Sequence, residues 1–170
     1  SLMSQEIFFE TSELAAELAA LLAGQKNYIV GIDGFPVAGK TRTAEVFAST
    51  LDATHIQIDT YSNKKYGDYV KCLDLGKIKR EIFTGRTILE GIRLLEIAVL
   101  LNIIMNKLVY VKRFSRRNVW IDELLLHDAS FPTLTSFHAG VIKYHKKFLP
   151  HKKAGYILCK KEDQRLSLNI

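Results

Sequence analysis

An α/β fold, a three-layer sandwich with helices on both faces of a central five-stranded parallel sheet, is what this sequence predicts. Three observations carry the prediction. Five short apolar runs alternate with segments of helical period along the 170 residues, as strands buried on both faces do. A glycine-rich turn joins the first of these runs to a helix. Hydrophobic residues make up 48% and charged residues 25%, with mean hydropathy +0.03, which excludes disordered and collagen-like chains. A chain of 170 residues is one domain's worth, and about two thirds of its unfolded surface is expected to be buried. The expected organisation is a single domain over 1–170.

The elements follow in order. Thr11 opens TSELAAELAALLAG, in which a Thr or Ser cap, early acidic residues, Ala and Leu at helical spacing, and Gly24 as a stop predict a helix over about 11–24. NYIVGID, Asn27 to Asp33, is rich in β-branched residues and reads as a strand, and TRTAEVFASTL after Lys40 as a helix. HIQID (His55 to Asp59) is the second strand. A polar loop, a helix near Leu73 to Phe83 and a third strand, RTILE (Arg86 to Glu90), come next. A helix over about Ile92 to Ile104 leads to KLVYV (Lys107 to Val111). The remainder reads as an Arg-rich helix, a loop around Pro132, another helix and a last strand, GYILC (Gly155 to Cys159).

Composition removes several function classes. The longest apolar stretch, Leu94 to Met105, is interrupted by Glu96 and Asn102 and is too short to cross a bilayer. No charged segment followed by an apolar one opens the sequence, so a cytoplasmic protein is expected. Cys72 and Cys159 are the only cysteines, and neither C-x-x-C spacing nor clustered histidines suggest a disulfide framework or zinc. The net charge of +6 favours anionic partners without choosing among nucleic acid, acidic lipid and phosphorylated metabolites.

The chemistry lies in Gly34-Phe35-Pro36-Val37-Ala38-Gly39-Lys40-Thr41, which satisfies G-x-x-x-x-G-K-[ST] between a strand and a helix. Glycines at 34 and 39 let successive N–H groups converge as an anion nest, and the following helix adds its positive end. Lys40 reaches the β- and γ-phosphates, and the Thr41 hydroxyl is suited to Mg²⁺. Arg42, next in the helix, is grouped with the loop as a nucleotide-binding residue. Neither D-x-x-G nor an N-K-x-D guanine signature occurs, which argues against a GTPase switch. The histidines form no H-E-x-x-H and no G-x-S-x-G nucleophile is present, so zinc and serine hydrolases lack support.

GIDGFPVAGKT, followed by IDTY after the second strand and ILEG after the third, resembles the uridine kinase-like P-loop kinases of the P-loop NTPase superfamily. FLPHKKAGYIL, Phe148 to Leu158, is similar to that family's last helix, proline and strand, so the resemblance spans nearly the whole chain. It implies that Asp59 is the base acting on the acceptor hydroxyl, with Tyr61 beside it in the acceptor pocket. A carboxylate at the end of a parallel strand faces the crevice where ligands of open sheets bind; the alternative for Asp59 is a turn former. Glu90, ahead of Gly91, matches the carboxylate that helps hold hydrated magnesium, or else is a helix N-cap neighbour favoured by the dipole. Asp33 is expected to orient loop backbone or a metal-bound water. Asp68 and Asp74 resemble the family's paired aspartates, of which the first holds acceptor ribose hydroxyls; Asp74 reads better as the cap of the helix beginning LGKIK, and Asp68 equally well as a solvated loop residue.

KRFSRRNVW stands where the family has its Arg-rich lid, expected over about 112–128. Arg113, Arg116 and Arg117 are candidates for stabilising transferred charge, against the alternative of a solvated basic face. One departure concerns the acceptor. Nucleoside kinases of the family carry extra chain between the helix ending near Phe83 and the strand carrying Glu90, where this sequence has only Thr84 and Gly85 before Arg86. The missing wall implies a smaller or differently shaped acceptor than uridine or cytidine. The expected reaction is ATP- and Mg²⁺-dependent transfer of the γ-phosphoryl group to a hydroxyl of a small metabolite, a nucleoside among the candidates. A nucleotide-binding protein without transfer is the first rival, and a basic nucleic-acid-binding module, motivated by KYHKK and HKK between Lys143 and Lys153, the second. The expected partners are a nucleoside triphosphate and a small hydroxyl-bearing substrate, with no membrane, nucleic acid unfavoured and self-association left open.

Overall fold

The computed structural model of the chain describes residues 4–63, 68–82, 85–127 and 135–162. Its elements are β1 (Glu6–Phe8), α1 (Thr11–Leu21), β2 (Tyr28–Gly34), α2 (Lys40–Leu51), β3 (Thr54–Gln57), α3 (Leu75–Ile82), β4 (Arg86–Glu90), α4 (Leu94–Leu101), β5 (Lys107–Phe114), α5 (Glu123–His127), α6 (Ser136–Phe148), α7 (Pro150–Lys153) and β6 (Tyr156–Lys161), with 3₁₀ turns at Ile58–Tyr61 and Val70–Cys72. The strands form one sheet in the order β1-β6-β5-β2-β4-β3, and every pairing is parallel.

Period-2 alternation sends each strand's side chains to opposite faces, and both faces are covered. Val30, Ile32, Ile88, Val109 and Val111 pack on Leu14, Leu18 and Phe47 of α1 and α2. On the other face Leu89 meets Ile78, Ile82, Leu94 and Ile97 of α3 and α4, while Tyr110 and Ile157 meet Val141 and Ile142 of α6. The chain leaves β2 for β3, returns to β4 beside β2, then crosses to β5 on the other side of β2. Such a reversal leaves a crevice at the C-terminal ends of the strands, where β2 runs into the glycine turn.

The P-loop-type α/β sandwich expected from the sequence is the fold observed, with corrections of detail. The sheet has six strands: β1 adds an edge through Glu6↔Tyr156, Ile7↔Ile157 and Phe8↔Leu158. Thr11 is the first residue of α1 and no side chain caps that helix. The second expected strand stops at Gln57, so Asp59 lies in a 3₁₀ turn. Among the described residues no Arg-rich helix follows Val111. β5 continues to Phe114, held by Lys112↔Cys159 and Arg113↔Lys160 pairing with β6, and a turn with Asn118 at φ 60° folds back so that Phe114 bridges Trp120. Asp74 does cap α3, its Oδ1 accepting from the Lys77 N–H at 3.0 Å. Phe83, Thr84, residue 128 of the expected lid and the loop around Pro132 lie outside the described residues.

Candidate functional site

Backbone geometry builds the loop between β2 and α2. A methyl group on Gly34 would stand 2.9 Å from the Val111 carbonyl oxygen, so only glycine lets β2 end against β5. Gly39 enters α2 at φ 101° and Val37 stands at φ 64°, while Phe35 accepts the Ala38 N–H at 3.2 Å. Phe35 and Ala38 are buried and Val37 is 81% exposed, so the turn is anchored from below and open above. The Phe35 ring stacks on His145 at 4.2 Å.

Lys40 is 9% exposed, and its ammonium donates to the Phe35 carbonyl at 2.7 Å. Burial lowers its pKa, against the pull of Asp33, Glu90, Asp59 and Asp122. Asp33 is fully buried behind the loop. Its Oδ1 accepts from the Gly34 N–H at 2.7 Å and its Oδ2 from the Tyr144 hydroxyl, which itself accepts the Leu95 N–H at 2.9 Å. Burial pushes the Asp33 carboxyl up to about 7, although the Tyr144 and Gly34 bonds and Lys40 oppose the shift. Asp33 thus ties loop backbone to α6 and α4.

A cleft of about 480 Å³ opens over the loop, bounded by Pro36, Val37 and Gly39 to Arg42, with Asp59, Glu90, Gly91, Ile92 and Phe137 opposite. Glu90 is 3% exposed at the end of β4, in register with Ile32 of β2 and Gln57 of β3. Burial raises its pKa, opposed by a hydrogen bond from the Thr41 hydroxyl, and its Oε2 is buried with no hydrogen-bond partner among the described residues. Asp59 Oδ1 accepts from the Tyr69 hydroxyl at 2.5 Å. Tyr69 meets Phe137 edge-on at 6.0 Å.

The remaining expected site residues do not line this cleft. The Tyr61 hydroxyl donates to Glu81 of α3, and burial pushes it up to about 12; Tyr69 occupies the position beside Asp59 that Tyr61 was expected to take. Asp68 is paired with Arg93 at 2.7 Å, a residue also held by Glu96 at 2.7 Å. Arg113 faces Asp122 at 3.9 Å, and Arg116 and Arg117 are exposed on the turn after β5. Sequence reasoning missed Tyr69, Phe137 and Lys160. The Lys160 side chain lies over the loop, 3.3 Å from where a Gly39 Cβ would be, with its ammonium 3.4 Å from Thr43 Oγ1. A lysine following an apolar strand was the signal for Lys160, and a tyrosine next to Asp68 the signal for Tyr69.

No protein-family model and no curated protein sequence matches the chain. Among solved structures, one described as a possible uridine kinase from Bacillus stearothermophilus superposes with a TM-score of 0.53 and 12% identity, over 87% of this chain and 97% of that one. At that identity the likeness shows the fold, a P-loop-type α/β sandwich. Among the described residues no helix is long and apolar enough to cross a membrane.

Proposed function

We propose that this chain is a P-loop kinase, binding ATP with Mg²⁺ at the β2–α2 turn and transferring the γ-phosphoryl group to a hydroxyl of a small metabolite. The observation that carries the reading is that Lys40, Thr41, Asp59 and Glu90 border one cleft beside a glycine turn and a helix N-terminus, the arrangement suited to a polyphosphate.

The residues fit magnesium: Glu90 Oε2 is buried without a partner among the described residues and the Thr41 hydroxyl lies against the same carboxylate, both hard oxygen donors. Thr41 and Glu90 would hold the ion, which would supply positive charge to offset that of the phosphates. Lys40 would exchange its Phe35 carbonyl bond for phosphate oxygens, a charge-assisted contact that also relieves the burial of its ammonium. Asp59, oriented by Tyr69, would take the acceptor hydroxyl's proton as that oxygen attacks phosphorus and the bond to the ADP oxygen breaks. Asp59→Asn keeps the shape and removes the base. Acceptor-dependent ADP release should fall about 10²- to 10⁴-fold with ATP affinity unchanged; turnover within twofold of the parent would exclude Asp59 as base.

Nucleotide binding without transfer is the second reading, favoured by Arg113 being turned to Asp122 instead of bordering the cleft. A screen of nucleosides, sugars and vitamins for acceptor-stimulated ADP formation separates the two. ATP binding with no stimulation by any acceptor selects the second.

A further inference from the structure

A second concavity of about 470 Å³ lies away from the cleft, between β5, α5 and the junction of α6 and α7, and shares no lining residue with it. Its charged rim is Lys112, Lys146 and Lys152 against one carboxylate, Glu123, which faces His127 at 3.9 Å. Among the described residues no ion pair joins any of the three lysines to a carboxylate. Lys112 is half-buried with its ammonium 4.4 Å over the Trp120 ring, a cation–π contact in place of an ion pair. The floor is His145, 0% exposed, and His151, whose Nδ1 is buried with no partner among the described residues.

We propose that this pocket is a second ligand site, taking a small phosphorylated compound. Three ammonium groups supply the point charges that phosphate oxygens recognise, and the indole with Leu126 and Leu149 forms an apolar wall for the compound's body. Burial, with Lys112 and Lys152 adding to it, holds His151 down at about 4, and burial holds His145 at about 4. Both rings are therefore neutral near pH 7 and leave the charge to the lysines. In His145 Nδ1 is 2.7 Å from the Val141 carbonyl and so carries the proton; Nε2 accepts from the Tyr110 hydroxyl at 2.7 Å. Trp120, the chain's single tryptophan, reports on the pocket directly. The site does not depend on the kinase reading.

The probe is inorganic pyrophosphate, titrated into the folded Lys40→Ala chain so that the β2–α2 turn does not compete, with calorimetry and Trp120 fluorescence as readouts. Saturable binding is expected. Adding Lys146→Ala and Lys152→Ala, both at exposed positions, should weaken it about tenfold each, while the same pair in the parent chain should leave ATP affinity within twofold. Circular dichroism of each variant confirms folding. No binding at millimolar pyrophosphate, or affinity unmoved by the lysine pair, overturns the proposal. So does a single-stranded oligonucleotide of about ten nucleotides that binds the same lysines at least tenfold tighter than pyrophosphate, since the ligand would then be nucleic acid.

Discussion

Asp33 and Lys40 show how one buried pair serves both the loop and its stability. Burial pushes the Asp33 carboxyl up to about 7 in the folded chain, from the 3.8 of an unfolded one. Between those values the unfolded chain has released a proton that the folded chain keeps, so stability falls as pH rises through this window and is flat above it. The slope is at most one proton's worth, about 1.4 kcal/mol per pH unit. Urea unfolding of Asp33→Asn from pH 4.5 to 8 should lose this part of the dependence; parallel profiles for the variant and parent would remove Asp33 as its source. Lys40→Ala should keep the fold, because among the described residues the ammonium's hydrogen bond is to the Phe35 carbonyl at the loop and not to core atoms. ATP affinity should drop about tenfold or more, the worth of a charge-assisted bond. Unchanged affinity in the folded variant would remove the phosphate role from this loop.

At the scale of elements, the loop between β2 and α2 lies under β6, where a side chain at Gly39 would crowd Lys160. Gly39 sits at φ 101°, where a Cβ would come 3.3 Å from Lys160, whereas at Gly24, with φ 82°, a Cβ would meet nothing within 4 Å. Both positions are strained for alanine, by about 1–2 kcal/mol. Gly24→Ala should therefore lower Tm without touching nucleotide binding, and Gly39→Ala should lower Tm further and weaken ATP. Equal effects of the two on ATP affinity would show that the loop's glycine matters only to folding. The same meeting of elements explains why a strand stands where a helix is expected after Val111: local sequence around Arg113 is compatible with a helix, but β6 pairs with β5 through Arg113↔Lys160 and Phe114↔Lys161, and those ladder bonds decide the strand.

For the whole molecule, α3 ends at Ile82 and β4 begins at Arg86, so the connection carries no long insertion. Selectivity against a wrong base comes from buried polar groups left unpaired, and a site without that wall lacks the penalty. If nucleosides are phosphorylated, uridine, cytidine and a purine nucleoside should differ by less than about 100-fold in kcat/KM. Competition at fixed ATP measures this, and a thousandfold preference would show that another segment reads the base.

By itself the sequence determined what depends on near neighbours. The glycine turn and its lysine, the β4 strand from Arg86 to Glu90, the α3 cap at Asp74 and the parallel α/β class all follow from patterns a few residues long, where φ preferences, capping bonds and period-2 burial act locally. Tertiary structure decided the rest. β1 is three residues that become a strand because Gly155 and β6, about 150 positions away, offer them a free edge. The Asp59 carboxylate takes its hydrogen bond from Tyr69 while the Tyr61 hydroxyl donates to Glu81 of α3, and a hydroxyl's partner is set by the packing of separate segments. The convergence of Lys112, Lys146 and Lys152 on one pocket and the Glu90 oxygen left without a partner among the described residues likewise arise from segments far apart in the chain, since burial and the field of neighbouring charges exist only once those segments have met.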